Sequence, residues 1–202
     1  MKNIKTKSEE VFENFLIDNN LEFEKIKEEN SARPDYLVKI GKFKMVFEIK
    51  ELAEDENFKT EQFSLSSRTV GEHIRKKIQE ARKQIQFAAK QGIPSILLIY
   101  NNIDPMHLFG TENMDFISAM YGEYTVIFDK NKGKITDSFL GRNQSFAAAK
   151  NTSFSAVGRL SPYFGIMKVT LFENVFSKVK IQYDRLPLPS CFELINIQIE
   201  HV

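Results

Sequence analysis

The apolar positions of this chain fall into short, well-bounded patterns. In residues 6–19, Val11, Phe12, Phe15 and Leu16 recur at helical spacing. Thr6 or Ser8 is placed to cap that helix, and Asp18-Asn19-Asn20 to end it. Residues 21–27 read as a strand with Leu21, Phe23 and Ile26 facing inward, and 28–32 as a loop. Pro34 to Ile40 and Phe43 to Leu52 read as strands joined by Gly41-Lys42, which predicts an antiparallel hairpin. Residues 53–70 are polar and irregular and predict a loop. Ile74, Ile78, Ala81, Ile85 and Ala88 make one stripe along a helix over 71–91, which Gly92 stops. Ser95 to Tyr100 is a continuous apolar run, the pattern of a strand covered on both faces.

The second half is patterned more weakly. It predicts a short helix over 113–121, a strand over 125–128, a turn at Asn131-Lys132-Gly133 and strands near 153–157, 167–172 and 192–199. Pro187-Leu188-Pro189 marks a loop. There is no repeat, low-complexity segment or evident linker. The reading is a single α/β domain over 1–202 with a β-rich C-terminal portion.

Composition narrows the classes. Hydrophobic residues make up 42% and charged residues 27% of 202, which argues against disorder, collagen and coiled coil. Lys and Arg total 28 against 27 for Asp and Glu, so overall charge says nothing about partners. A lone Cys191 forms no intramolecular disulfide and no Cys-rich zinc site. His73, His107 and His201 are far apart and form no HExxH pair, which argues against a zinc enzyme. The basic start has no apolar run behind it, and no stretch approaches 18 apolar residues. The expectation is a cytoplasmic, soluble protein without a membrane partner.

Chemistry concentrates in Arg33-Pro34-Asp35-Tyr36 and Phe47-Glu48-Ile49-Lys50. Strand alternation puts Glu48 and Lys50 on one face with Ile49 opposite, and the hairpin brings Asp35 beside them. The flanking Met45, Val46, Phe47 and Leu52 mark a buried strand. Charges there are costly unless they pair with each other or with a metal. Two carboxylates and the Ile49 carbonyl make a hard-oxygen donor set that suits Mg²⁺ or Mn²⁺. The bland alternatives are a turn aspartate at Asp35 and a solvated ion pair between Glu48 and Lys50.

Pro34-Asp35, twelve residues, then Glu48-Ile49-Lys50 resembles the motif of the PD-(D/E)xK nuclease superfamily. The order helix, strand, motif-bearing hairpin, helix, buried strand over residues 6–100 is similar too. The resemblance implies a restriction-endonuclease-like α/β fold, a central mixed sheet flanked by helices, with 101–202 as an extension of uncertain role. It implies a Mg²⁺- or Mn²⁺-dependent nuclease, with DNA the first expected substrate. Asp35 and Glu48 would be metal ligands with the Ile49 carbonyl, and Lys50 the catalytic lysine. Relatives carry an acid on the first helix. Glu9 fits that place, with Glu13 second, although an acid in a first turn also suits the helix dipole.

The window 71–91 holds six basic residues and two acids, a charge of +4, which suits a nucleic-acid backbone or simply a solvated face. Lys77 and Gln84 lie on one flank of its apolar stripe and Arg75 and Arg82 on the other. By resemblance Lys77 and Gln84 are candidates for phosphate or water contacts; Arg75, on the basic surface, is a further candidate for substrate binding. A homodimer would let such a nuclease cut both strands. Two rivals stand beside this reading: an idle nuclease-fold protein that binds nucleic acid or a partner, and an interaction protein that pairs through its β-rich half.

Overall fold

The spine of the molecule, a computed structural model that describes residues 5–27, 32–53, 69–104, 109–187 and 190–197, is a mixed sheet of seven strands. In spatial order these are β1 (Glu22–Lys25), β2 (Tyr36–Ile40), β3 (Phe43–Leu52), β4 (Ser95–Asn101), β7 (Ala156–Tyr163), β8 (Ile166–Glu173) and β9 (Phe192–Ile195). β3, β4 and β7 run parallel to one another, β1–β2, β2–β3 and β7–β8 pair antiparallel, and β9 runs parallel to β8. Helix α1 (Lys7–Asp18) covers one face, and α2 (Glu72–Ala89) with α3 (Asn113–Tyr121) covers the other. The protein is thus α/β, with a mixed sheet flanked by helices. β5 (Glu123–Asp129) and β6 (Lys134–Arg142) pair only with each other and form a separate two-stranded ribbon.

The expected pattern explains most of these elements. Thr6 caps α1 in a reciprocal box, its hydroxyl accepting from the Glu9 amide while the Glu9 carboxylate accepts from the Thr6 amide. Phe12, Phe15 and Leu16 then pack on Tyr36, Val38 and Phe47, with ring centres 5.3 Å from Phe12 to Tyr36 and 5.1 Å from Phe12 to Phe47. The α2 stripe seals Leu97 and Ile99 on the opposite face, and the α3 ring of Phe116 stacks on Phe172 at 4.4 Å. Every residue of β4 is buried, as a strand in the middle of a covered sheet requires.

Two differences from the expected pattern matter. Residue 100 is no boundary: β7, β8 and β9 complete the same sheet that β1 to β4 begin. β6 is a full strand over residues that the sequence pattern leaves unassigned, directly after the turn at 131–133 that it does predict. The expected loop over 53–70 lies mostly outside the described residues, as does His107. Cys191 is buried and makes no disulfide. No helix among the described residues is long and apolar enough to cross a membrane.

Candidate active site

Alternation along β3 sorts its side chains by face. Met45, Phe47 and Ile49 join the core under α1, whereas Leu52 joins the core under α2 and marks the face shared by Glu48 and Lys50. Tyr36 pairs with Phe47, so Asp35, one residue earlier, falls beside Glu48. Its amide donates to the Phe47 carbonyl at 3.1 Å. Its Oδ2 accepts from the Ile49 amide at 2.7 Å. The Asp35 side chain therefore continues the ladder where the backbone of β2 leaves it. A strand residue aims its N–H and C=O to the same side, so the Ile49 carbonyl faces this same gap. Glu48, only 2% exposed, accepts from the Lys50 Nζ at 2.8 Å. The Lys50 side chain is 25% exposed, so the ammonium links the buried carboxylate to the surface.

The electrostatics follow from burial and crowding. Burial raises the Asp35 carboxyl above the ordinary aspartate range. The Ile49 amide, Lys50 and Lys25 pull it back, and the Glu9 charge pushes it further up. Burial works against the Lys50 ammonium, but Glu48, Asp35 and Glu80 outweigh it and hold that pKa above the usual lysine value. Lys50 is consequently a fixed positive charge at neutral pH.

The remaining expected residues divide. Glu9 acts on Asp35 through its charge, but its carboxylate is engaged by the Thr6 amide at 2.9 Å and by Lys25 at 2.6 Å. Burial opposes its ionisation, and these two donors more than offset that, leaving the carboxyl below its ordinary value. Glu13 accepts from the Tyr36 hydroxyl at 2.8 Å and pairs with Lys5. Lys77 bridges to Glu80 at 3.0 Å. Gln84, one turn beyond Glu80, has a buried Oε1 with no hydrogen-bond partner among the described residues. Arg75 does not join them. Its guanidinium donates to the carbonyls of Val70 at 2.9 Å and Ser118 at 3.3 Å and lies 3.9 Å from Glu123, tying α2 to α3 and the ribbon.

Two residues of this neighbourhood carry no assignment in the sequence reading. Glu80 contributes to the charge around Lys50, and its signal was its place between Lys77 and Gln84 on one helix flank. Arg33 lays its guanidinium over the Phe87 ring at 5.4 Å, fixing the segment before Asp35 against α2. Its signal was only its position next to the proline.

No family model, no curated protein and no solved structure matches the chain. What the site can do must come from its donors.

Those donors are hard oxygens. No three His, Cys, Asp or Glu side chains converge among the described residues. A cation here would rest on Asp35, Glu48 and the Ile49 carbonyl, with water or a substrate oxygen completing its shell. Mg²⁺ is commonly held this way, by one or two carboxylates plus phosphate oxygens. The residues fit Mg²⁺ or Mn²⁺ and do not fit zinc.

Proposed function

We propose that this chain is a Mg²⁺-dependent nuclease of the PD-(D/E)xK type with a restriction-endonuclease-like fold, hydrolysing phosphodiester bonds, with DNA the first expected substrate. The observation that carries the reading is the Glu48–Lys50 pair, buried in a central strand with Asp35 at its edge. A structural protein gains little from such a pair, because apolar residues in its place often stabilise as much or more. Support also comes from the strand order around the site, where an antiparallel hairpin leads into two parallel strands beside a basic helix.

Asp35, Glu48 and the Ile49 carbonyl would hold the metal. When bound, Mg²⁺ supplies polarisation of a phosphoryl oxygen and a more acidic water. The chain's own residues do the rest. Lys50, kept protonated by its acidic neighbours, serves better as a donor to the developing phosphoryl charge than as a base. Gln84, whose buried Oε1 has no hydrogen-bond partner among the described residues, offers an acceptor for a water. Lys77, now paired with Glu80, would be the helix's contact to a backbone phosphate. Arg75 already gives two of its five N–H groups to the Val70 and Ser118 carbonyls, so a substrate contact there would draw on the rest of its guanidinium.

The test is cleavage of a panel holding supercoiled, linear, branched and single-stranded DNA and structured RNA. Wild type runs with Mg²⁺, Mn²⁺ or EDTA beside Asp35→Ala, Glu48→Ala and Lys50→Ala, each checked for folding. Metal-dependent cutting lost in all three variants is the expected result. Cutting that survives them, or a folded wild type inert on every substrate, overturns the reading.

A further inference from the structure

The β5–β6 ribbon is the molecule's largest departure from ordinary burial. Cross-strand pairing and strand alternation place Tyr124, Val126, Phe128, Ile135, Ser138 and Leu140 on one face of it. Leu140, at the root, packs on the core beneath α3. Beyond the root, Tyr124 is 61%, Val126 43%, Phe128 57% and Ile135 62% exposed. The opposite face mixes polar Thr125, Asp129, Lys134 and Asp137 with two exposed apolar side chains, Ile127 at 46% and Phe139 at 43%, the Phe139 ring lying across Gly141. An amphipathic strand pattern is thus present with its apolar side uncovered.

A two-stranded hairpin is marginal in water by itself and needs packing on its apolar face. Yet this ribbon is held in a fixed direction. At its root Gly122 has φ +101°, and a Cβ there would stand 2.8 Å from the Arg142 carbonyl oxygen. Arg75 reaches Glu123 from α2, and Asn143 donates to Glu123 at 2.7 Å. At the tip the Asp129 carboxylate accepts from the amides of Asn131 and Lys132 and closes the turn. A preorganised apolar face on a rigid root is built for a partner, and the remaining question is which one.

We infer that the ribbon's apolar face is the interface with a second copy of this chain, packed face to face about a two-fold axis through Val126. Three features favour a second copy. The four exposed side chains carry on the order of 400–500 Å² of apolar surface, so two copies with Ser138 and the ribbon backbone bury about 1,000 Å², the lower limit for a specific interface. The face is self-complementary, because a two-fold through Val126 sets Tyr124 of one copy against Phe128 of the other and leaves the smaller Val126 and Ser138 at the axis. The ribbon's charges nearly cancel, with Glu123, Asp129 and Asp137 against Lys130, Lys132, Lys134 and Arg142, so no strong field opposes a like chain or selects a highly charged partner. The interface goes beyond the nuclease reading and stands whether or not the chain cuts nucleic acid.

Sedimentation velocity on the full chain at concentrations up to about 100 µM tests it. Wild type should approach twice 23.4 kDa, and Val126→Glu/Phe128→Glu, which alters only exposed positions, should stay at 23.4 kDa with an unchanged circular dichroism spectrum. Under mild oxidant Val126→Cys should cross-link to itself and Thr125→Cys, on the other face, should not, with buried Cys191 as a silent background. A monomeric wild type at the highest concentration, a dimer that survives the double substitution, or equal cross-linking at 125 and 126 overturns the inference. The first of these outcomes would leave the face to a different protein or to nucleic acid.

Discussion

In β3, Glu48 and Lys50 stand on a sheet face sealed by α2, between Phe47, Ile49 and Leu52. In β5 and β6, Tyr124, Val126, Phe128 and Ile135 stand exposed on a ribbon that pairs with nothing else in the sheet. Both regions use the same period-two alternation. One places charge where the rest of the strand is apolar, and the other places apolar side chains where the surroundings are water. Elsewhere the residues follow the ordinary rule closely: β4 is buried throughout, and the α2 stripe matches its buried positions. These two departures are the places that the proposed function and the proposed interface draw on; a further one is the β7–β8 turn, where Tyr163, Phe164 and Ile166 are exposed.

The largest effects should come from the charged departure. Glu48→Gln keeps the shape of a buried side chain and removes its charge. Cleavage should fall about 10³-fold, equivalent to roughly 4 kcal/mol of barrier, in single-turnover assays. Lys50→Met should cost about 3–5 kcal/mol of folding stability, because it strands the buried Glu48 charge. Glu48→Gln/Lys50→Met should recover most of that loss in urea denaturation while remaining inactive. Equal stability of the single and double variants would show that the pair is not coupled.

Truncation should separate the two regions next. Phe47→Ala, inside the α1 core, should cost about 3–5 kcal/mol. Phe128→Ala should change monomer stability by no more than about 0.5 kcal/mol, since its ring is already mostly in water. A large loss at Phe128 in dilute protein would mean that the ribbon is covered within one chain.

The smallest effect carries a sign. Burial raises the Asp35 carboxyl, so the fold favours its protonated form. That contribution is full below the ordinary aspartate value and is lost as pH rises through the higher folded value, leaving a net cost at neutral pH. Asp35→Asn keeps an acceptor for the Ile49 amide and removes the cost. Its Tm should exceed that of wild type at neutral pH, and the gain should vanish as pH falls below 3.8. A Tm below wild type at pH 7 would contradict the assignment of burial as the dominant cause.

How much of this was legible in the sequence depends on whether the signal is local. Helix α2 and strands β3 and β4 were, because their apolar periodicity coincides with burial. The convergence of Asp35 with Glu48 and Lys50 was also legible, since a two-residue turn brings them together and alternation sets the face. The joining of β4 to β7 was not, for that pairing links Leu98 to Gly158 across an insertion holding α3 and the ribbon. β6 escaped notice because Lys134, Thr136, Asp137 and Ser138 read as loop once burial no longer supplies the pattern. Glu80 was counted only as charge, because its approach to Lys50 is a matter of helix packing on the sheet. The division of Arg75 from Lys77 was half visible: their opposite flanks follow from helical spacing, but the carbonyls that absorb Arg75 belong to Val70 and Ser118.

On the proposed reading, the charges of β3 are there to hold a divalent cation. Titration of the full chain with Mn²⁺, followed by electron paramagnetic resonance, measures that without a substrate. One bound ion per chain, displaced by excess Mg²⁺ and lost in folded Asp35→Asn and Glu48→Gln, is the predicted result. No binding at millimolar Mn²⁺, or binding unchanged by both substitutions, would contradict it.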